Sequence, residues 1–291
     1  MRHPIRALLA ALALVAGGQG ASGDTLTHIG SFDWPTETVS GVSGLEVSED
    51  GNSFVAISDR GWFLTGTLSR IEGQISGVTL TSLRPILGSD ALPVAARRVG
   101  DWSDAEGLAI AADGTVWIAF ERWAHVARYD ALDGAAHWIR DHPSFREFDD
   151  NSQLEAAAVH PDGTVYVFSE DPLDKGFPIY RLDGKQWVID GYMPVRNGFS
   201  VVGADFDDTG RLFVLERKLS FGLWWQNRIR LWQPGDPSAD RILWTGERGA
   251  FRNLEGISVW RDGSGLRITM VSDDNGNRDE PTQFVEFLLR D

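Results

Sequence analysis

The chain has 291 residues, no cysteine, and 42 acidic against 27 basic side chains, which gives a formal net charge of −15. The absence of cysteine excludes a disulfide framework, a thiolate metal site and a cysteine nucleophile. A surface this acidic repels nucleic acid and anionic membranes and attracts metal cations, so nucleic-acid binding is set aside.

The first 23 residues have the pattern of a secretory signal peptide. Arg2 and Arg6 precede a short apolar run, Ala7–Val15, and small residues lead to a cleavage point after Gly23. The run is too short to span a bilayer, and no other run in the sequence is long enough. We therefore expect a single mature domain, residues 24–291, in a periplasm or outside the cell. Loss of the two arginines takes its net charge from −15 to −17.

One pattern occurs five times along the chain. In each copy a short apolar run leads into a turn with Asp and Gly, a second alternating apolar run follows, and the copy closes on charged or polar residues. Alternating runs joined by such a turn predict a β-hairpin. Steps of 63, 49, 47 and 53 residues separate the turn glycines, and repeats of this length made of short strands are typical of propeller blades. The turn glycines are Gly51, Gly114, Gly163, Gly210 and Gly263.

The intervals between hairpins contain material for two further strands, which makes four strands in a blade. The fifth hairpin is followed by only one such strand, Gln283–Leu289, and the missing one is available near the other end, at Thr25–Phe32. Closing the last blade with an N-terminal strand removes the open edges of the sheet. We predict an all-β fold, a β-propeller of five four-stranded blades. Six blades are the alternative, because Gly61–Asp104 leaves room for a degenerate extra blade.

Acidic residues recur at the ends of the predicted hairpins. The start of the first strand and the end of the second lie at the same end of an antiparallel hairpin, so these acids should share one face of the disc near its axis. Crowded carboxylates repel one another unless a cation compensates, and Ca²⁺ takes six to eight such oxygens. The strand starts supply Glu106, Glu155 and Glu255, with Ser43 and Val202 in the other two blades. The strand ends supply Asp59, Glu121, Glu170, Glu216 and Asp273.

Two interpretations of this ring are open. Arg60, Arg122 and Arg217 directly follow three of the acids and could neutralise them as ordinary surface ion pairs. For any single acid, a hydrogen bond to a loop amide is the simpler explanation. Three glutamates at one repeat position favour a cation site for the set as a whole.

Two segments have features of calcium-binding loops. Asp205–Gly210, with Glu216 beyond it, nearly matches the spacing of an EF-hand loop. Thr209 replaces the usual acid or amide, and a strand follows instead of a helix, so we interpret the segment as a hairpin turn. The loop Asp273–Glu280 is rich in oxygen ligands and is the better calcium candidate, with an ordinary polar turn as its alternative.

Motifs of several other enzyme classes are absent from the sequence. There is no G-x-S-x-G nucleophile elbow, no H-E-x-x-H zinc motif and no glycine-rich phosphate loop. Most of the twelve tryptophans fall on strand-like runs and should pack inside blades. Trp224-Trp225, beside Gly222, could instead form an exposed lip that stacks on a ligand, with buried packing as its alternative.

In their order along the chain, these motifs resemble the phytase-like propeller family, described as "esterase-like activity of phytase". The resemblance runs from about Asp33 to Phe287 and implies a secreted, calcium-associated propeller with phosphoester or ester hydrolase activity. The motifs that carry it are Ser43-Gly44-Leu45, Ser58-Asp59-Arg60-Gly61, Asp104-Ala105-Glu106-Gly107-Leu108, Leu215-Glu216-Arg217, Asn253-Leu254-Glu255-Gly256 and Ser272-Asp273-Asp274-Asn275. The site residues that the resemblance implies are Asp59, Arg60, Glu106, Glu155, Glu216, Arg217, Glu255, Asp273, Asp274 and Asn275.

The chain departs from the family pattern at three points. Ala156-Ala157 stands at the Gly-Leu position of the third repeat, and Gly276 stands where an aromatic residue is usual. Propeller phytases bind a phosphate-rich substrate with lysines, arginines and several calcium ions, whereas this chain has only three lysines.

The leading hypothesis is a calcium-dependent hydrolase of phosphoesters or carboxylic esters, acting as a monomer on a small-molecule or sugar-like substrate. The alternatives are a non-enzymatic module that binds calcium and a sugar, peptide or envelope partner, and a calcium-dependent sugar lactonase. The predicted catalytic residues are Glu106, Glu255 and Asp273, and the predicted substrate-binding residues are Arg60, Arg122 and Arg217. The predicted calcium ligands are Asp59, Glu106, Glu155, Glu216, Glu255, Asp273, Asp274 and Asn275.

Overall fold

A computed structural model shows five four-stranded antiparallel sheets arranged as a β-propeller, as the hairpin repeat predicts. The structure describes residues 25–35, 38–96, 104–148, 153–277 and 279–290, and the predicted signal peptide lies outside these ranges. Within them, no helix has the length and apolar character needed to cross a membrane.

Blades 1 to 4 are each a continuous piece of chain, with strands added from the axis outwards. Blade 1 contains β2 (Val42–Val47), β3 (Ser53–Ser58), β4 (Trp62–Ile71) and β5 (Gln74–Pro85). Blade 2 contains β6 (Ala105–Ile110), β7 (Val116–Phe120), β8 (His125–Tyr129) and β9 (His137–Ile139). Blade 3 contains β10 (Leu154–Val159), β11 (Val165–Ser169), β12 (Phe177–Asp183) and β13 (Gln186–Met193). Blade 4 contains β14 (Ser200–Phe206), β15 (Leu212–Ser220), β16 (Trp224–Trp232) and β17 (Arg241–Thr245).

Blade 5 is closed by the two ends of the described chain. It contains β18 (Asn253–Asp262), β19 (Gly265–Asp273), β20 (Thr282–Arg290) and, at its outer edge, β1 (Thr25–Trp34). The register of β1 with β20 runs from Thr25 opposite Arg290 to Trp34 opposite Thr282, which confirms the predicted closure. Short 3₁₀ helices occur at Val94–Ala96, Pro143–Glu147 and Pro237–Ala239.

The alternative with six blades is wrong. The long interval Gly61–Asp104 supplies β4 and β5, the outer strands of blade 1, which have 10 and 12 residues. Many of the residues that could have formed a degenerate sixth blade therefore belong to two long strands of blade 1.

Each innermost strand carries a β-bulge at the same repeat position. Its register with the second strand of the blade shifts by one residue there. A bulge leaves its extra residue outside the ladder and re-aims that side chain. We call the end of the disc where the inner strands begin the upper face, and the bulges lie at this end. The bulged residues are Ser43, Glu106, Glu155, Val202 and Glu255.

The residue after each bulge is small because neighbouring inner strands nearly touch on the axis. A Cβ built on Gly203 would lie 2.4 Å from the carbonyl oxygen of Glu255, and one built on Gly107 would lie 2.6 Å from the amide nitrogen of Ala157. The cavity that remains between the inner strands has a volume of only about 10 Å³, about the minimum that one water molecule needs. The axis is therefore packed shut below the upper face.

Five hydrophobic cores alternate with the five blades, one between each neighbouring pair. The core between blades 5 and 1, for example, packs Trp34 and Phe284 against Phe54. Strand tryptophans such as Trp117, Trp187 and Trp232 are buried in these cores, as predicted. The propeller thus holds the upper ends of its inner strands at fixed positions around one axis.

Candidate metal centre

Eight carboxylates line one cavity of about 250 Å³ on the axis at the upper face. They come from the starts and ends of the predicted hairpins, and three are bulged residues of inner strands. Ser43, Arg122 and Arg217 also line the cavity, so among the described residues eight acids face two guanidinium groups. The acids are Asp59, Asp104, Glu106, Glu121, Glu155, Glu170, Glu255 and Asp273.

Among the residues that the structure describes, two overlapping groups of three acids lie close enough to hold a cation. One oxygen from each of Asp104, Glu106 and Glu121 lies within 4.8 Å of the other two. The same is true of Glu121, Glu155 and Glu170, so Glu121 belongs to both groups. We call these groups the first and second triads.

Burial and mutual repulsion raise the pKa of most acids in the cavity. Burial, followed by the charge of Asp273, raises the pKa of Asp59 to about 7. Burial and the neighbouring acids also raise the pKa of Glu121 and that of Asp273 to about 7. Because these carboxyl groups resist ionisation near neutral pH, all of them can be ionised together only if a positive charge compensates them. Burial, as the main cause, also raises the pKa of Asp104, Glu106, Glu155 and Glu255.

Arg217 neutralises one side of the cavity. Its Nη1 donates hydrogen bonds to Glu255 and, over 2.8 Å, to Oδ1 of Asn253, and its Nη2 lies 3.3 Å from Oε1 of Glu170. The indole of Trp225 covers the guanidinium at 5.3 Å, a cation–π contact. Blade 4 therefore contributes a cation, whereas blades 1, 2, 3 and 5 contribute acids.

Arg122 and Arg60 occupy the margin of the site. The Nε of Arg122 lies 3.1 Å from Asp104, and its side chain is 43% exposed, so it can reach both the first triad and solvent. Arg60 is 54% exposed, and its Nε lies 3.8 Å from Asp59. Arg60 lines a neighbouring pocket with Trp62 instead of the carboxylate cavity.

Glu216, a predicted calcium ligand, lies outside the cavity. Arg228 Nε donates to one of its carboxylate oxygens at 2.5 Å, and Arg230 Nη1 donates to the other at 3.0 Å, all three side chains being buried. Successive side chains of a strand point to opposite faces. Because Arg217 faces the cavity, Glu216 points into the blade, and both its oxygens are used by arginines.

In the loop after β19, the side chains of Asp274 and Asn275 form hydrogen bonds within the protein. Asp274 Oδ1 accepts hydrogen bonds from Ser40 Oγ at 2.8 Å and from the backbone amides of Gly41 and Gly276. Asn275 has a left-handed φ of 50°, and its Oδ1 accepts from Asn253 at 3.0 Å. The predicted ligands Asp274 and Asn275 therefore fasten the loop and do not line the cavity.

The Asp205–Gly210 segment is a hairpin turn, as interpreted from the sequence. Asp207 Oδ1 accepts from the backbone amides of Thr209 and Arg211 at 3.0 and 2.8 Å. Asp205 accepts from the backbone amide of Val259 in the next blade at 2.6 Å. These acids are used for local structure, and they lie apart from the triads.

Three members of the triads were not among the predicted ligands. Glu121 and Glu170 follow the second strands of blades 2 and 3 and were placed in the ring by the repeat alone. Asp104 precedes β6 by one residue, and its carbonyl oxygen accepts a hydrogen bond from the amide of Glu121 at 2.9 Å. The sequence feature that could have identified Asp104 as a ligand is its position two residues before Glu106.

The donors of the cavity fit a hard divalent cation. All candidate ligands are carboxylate oxygens, the donor type that Ca²⁺ and Mg²⁺ prefer. Oδ1 of Asp273 is also buried without a hydrogen-bond donor among the described residues. A cation near the triads would compensate the excess of acids over arginines.

These features define a class of protein, a five-bladed β-propeller with an acidic cavity at one end of its axis. Within that class, the chain belongs to the phytase-like family described as "esterase-like activity of phytase", whose model matches residues 37–276. The resemblance found in the hairpin motifs is thereby confirmed.

Solved structures with a similar fold have little sequence in common with this chain. The α-L-arabinofuranosidase PaAbf62A of Podospora anserina, solved with cellotriose, has a TM-score of 0.54 at 13% identity, over 92% of this chain and 97% of the other. The catalytic domain of the Coprinopsis cinerea GH62 α-L-arabinofuranosidase has a TM-score of 0.51 at 13% identity, over 91% and 97%. Both likenesses show a shared fold alone. No curated protein sequence matches the chain.

Proposed function

We propose that the protein is a calcium-dependent hydrolase of phosphoesters or carboxylic esters that acts in the axial carboxylate cavity. The observation that carries the proposal is the pair of triads that share Glu121, beside the partly buried Arg217. Membership of the phytase-like family, with its esterase-like description, supports the same class of reaction.

Calcium is the cation favoured by the composition of the site. The triads offer only carboxylate oxygens, from five side chains that stand on four different strands or their flanking turns. Ca²⁺ accepts six to eight oxygens in irregular geometry, whereas Mg²⁺ requires a near-ideal octahedron and usually retains several waters. Calcium bound to the triads would polarise the phosphoryl or acyl oxygen of the ester.

The side chains around the triads have separate tasks in this proposal. Arg122, half exposed at the margin, binds an anionic oxygen of the incoming ester. Arg217 is held by Glu255, Asn253 and Trp225 and fixes the carboxylate of Glu255. Asp273 has a pKa of about 7 and an oxygen without a donor among the described residues, so it is suited to accept a proton from water.

We also propose that the protein is exported through its N-terminal signal sequence to a periplasm or the cell exterior. The basic start and the short apolar run of residues 1–23 support this proposal. Cell fractionation and N-terminal sequencing test it, with Asp24 expected as the first residue of the mature protein. Recovery of full-length protein with Met1 from the cytoplasm contradicts it.

The experiment is a comparison of the mature protein with Glu121→Gln. Calcium binding is measured by titration calorimetry, and turnover is measured on aryl phosphates, aryl acetates and sugar lactones. We expect the unaltered protein to bind calcium and to hydrolyse phosphate or carboxylic esters, and Glu121→Gln to lose both properties.

The matched control is Glu49→Gln, which should retain both properties. Glu49 is an exposed acid in the turn between β2 and β3, at the end of blade 1 opposite the upper face. Calcium binding without turnover of any ester would refute the hydrolase and favour a binding module. Turnover of lactones alone would favour the lactonase.

A further inference from the structure

A second cavity opens on the upper face between blades 2 and 3. Its volume is about 810 Å³, within the range of roughly 300–1,000 Å³ that is usual for small-molecule sites. Four aromatic side chains and two arginines dominate its walls. We call it the aromatic pocket, and these residues are Trp123, Trp138, Phe145, Phe148, Arg140 and Arg146.

The aromatic pocket and the carboxylate cavity share two segments of chain. In the turn between β7 and β8, Glu121 and Arg122 line the carboxylate cavity, and the next residues, Trp123 and Ala124, line the aromatic pocket. At the start of β10, Gln153 lines the aromatic pocket, whereas Glu155 lines the carboxylate cavity. Among the described residues, these two segments form a wall between the two cavities.

Gln153 holds the dividing wall in place. Its side-chain Oε1 accepts a hydrogen bond from the amide of Ala124, and its backbone oxygen accepts from the amide of Glu170 at 2.9 Å. One residue thus ties together the turn that carries Glu121 and the strand end that carries Glu170. A ligand in the aromatic pocket would lie beside the second triad.

The aromatic pocket is lined by two buried phenylalanine rings and one exposed tryptophan ring. Phe145 and Phe148 are buried and pack edge-on against Tyr180, with ring centroids 4.9 and 6.4 Å apart. Trp123 is 69% exposed and adopts a left-handed φ of 60°, which is uncommon for a bulky residue. A large exposed ring above buried rings can stack on a flat ligand at little cost of rearrangement.

Arg140 and Arg146 add two exposed positive charges to the pocket of a very acidic protein. Asp141, also in the pocket, is partly neutralised by Arg146, which lowers a pKa that burial raises. Guanidinium groups stack on aromatic rings and pair with carboxylates. The lining therefore suits an aromatic ring that carries an anionic group.

We propose that the aromatic pocket binds the aromatic portion of the substrate, so that the enzyme acts on aromatic esters and not on phosphate-rich polyols. The reactive ester group would then extend over the dividing wall into the carboxylate cavity. The statement about turnover rests on the proposed hydrolase function, whereas the binding of an aromatic anion to the pocket is independent of it.

Binding is tested first, with 2-naphthoate, an aromatic carboxylate that contains no ester and cannot be hydrolysed. Titration calorimetry in the presence of calcium should show binding of 2-naphthoate and none of acetate. Trp123→Ala should weaken the binding of 2-naphthoate about tenfold, the loss expected for one stacked ring.

The matched control is Phe221→Ala, because Phe221 is also exposed, at 76%, and also has a left-handed φ of 56° in a turn of the upper face. It lines neither cavity, and its replacement should leave the binding of 2-naphthoate unchanged. Absence of 2-naphthoate binding, or equal binding by the unaltered protein and Trp123→Ala, overturns the pocket.

Turnover is tested second, with 1-naphthyl acetate and ethyl acetate as substrates. Trp123→Ala should raise KM about tenfold for the naphthyl ester and impair the hydrolysis of ethyl acetate much less, whereas Phe221→Ala should alter neither. Binding of 2-naphthoate that depends on Trp123, without hydrolysis of these acetates or of aryl phosphates, supports the pocket and refutes the hydrolase. Hydrolysis that is equally impaired for both esters in Trp123→Ala contradicts the pocket as a site for the aromatic portion.

Discussion

A main-chain hydrogen bond holds the repelling carboxylates of Asp104 and Glu121 side by side. The amide of Glu121 donates to the carbonyl oxygen of Asp104 at 2.9 Å, and both carboxylates belong to the first triad. The hydrogen bond fixes the distance between the two strands that carry these acids. The carboxylates are therefore held together despite their repulsion, which is the condition for a preorganised cation site.

Calcium should stabilise the fold against heat. A ligand at 100 times its Kd stabilises the native state by about 2.7 kcal/mol, which for a domain of this size corresponds to a rise in Tm of roughly 5–10 °C. Thermal melts with EDTA and with calcium measure the rise. Asp104→Asn should abolish it, whereas Asp113→Asn, in the exposed lower hairpin of the same blade, should retain it. Equal shifts in both variants contradict the triad.

Without calcium, stability should fall as pH rises from about 4 to about 7. Asp59, Glu121 and Asp273 have a pKa of about 7 in the folded protein, against about 4 when unfolded. In that window the folded state binds more protons, so deprotonation favours unfolding. His125, whose pKa burial lowers to about 4, acts in the opposite direction up to pH 6.5, but it is one group against three.

The measurement is the urea midpoint of EDTA-treated protein at pH 5, 6, 7 and 8. Saturating calcium should remove the decline, because the cation replaces the protons of the acids. Glu121→Gln should make the decline in EDTA shallower. A midpoint that rises steadily with pH in EDTA would show that these carboxyls are ionised without a cation.

Glu216→Gln should destabilise the fold without changing the affinity for calcium. The substitution leaves Arg228 and Arg230, both buried, without their shared carboxylate, and breaking a buried pair in this way costs about 3–5 kcal/mol. Urea unfolding measures the loss, and calorimetry of the folded variant measures the affinity. Glu247→Gln, an exposed acid of the same blade, should alter neither. Reduced calcium affinity in folded Glu216→Gln would place this acid in the metal centre after all.

Gly203→Ala should destabilise the propeller through its axis. The added methyl group would lie 2.4 Å from the carbonyl oxygen of Glu255, a backbone atom of the neighbouring inner strand that cannot turn away. Overpacking of this kind typically costs about 1–3 kcal/mol. Gly263→Ala is the control, since a methyl group there meets no atom within 4 Å. Urea midpoints that are equal for the two variants would contradict close packing at the axis.

Much of the fold could be predicted because each blade repeats a local signal. Asp-Gly turns at regular steps predicted the hairpins, and the surplus strand near Thr25 predicted the closure of blade 5. The number of blades was harder to predict, because the turn residues do not indicate how long the strands between them are. β4 and β5 are long, and the alternation of residues 61–85 has no marker that separates two long strands from a further blade.

The site was predicted less completely, because the repeat does not indicate in which direction each side chain points. The repeat brings Glu106, Glu155, Glu255, Asp59 and Asp273 to one cavity, but it treats every strand end alike. β15 continues through its acidic position to Ser220, so Glu216 turns inward and Arg217 turns to the axis. The bulges that aim the glutamates, and the turn that ties down Asp274, depend on contacts between blades or loops that no local pattern encodes.

The pairing of β1 with β20 makes the propeller a ring held shut by a clasp of two strands. The other four blades are each contiguous in sequence and can form without β1, whereas the clasp joins residues separated by the whole domain. The entropy cost of bringing β1 and β20 together grows only slowly with the length of chain between them. The long separation therefore slows the formation of this pairing more than it lowers its stability. The clasp should therefore be the last part of the molecule to assemble.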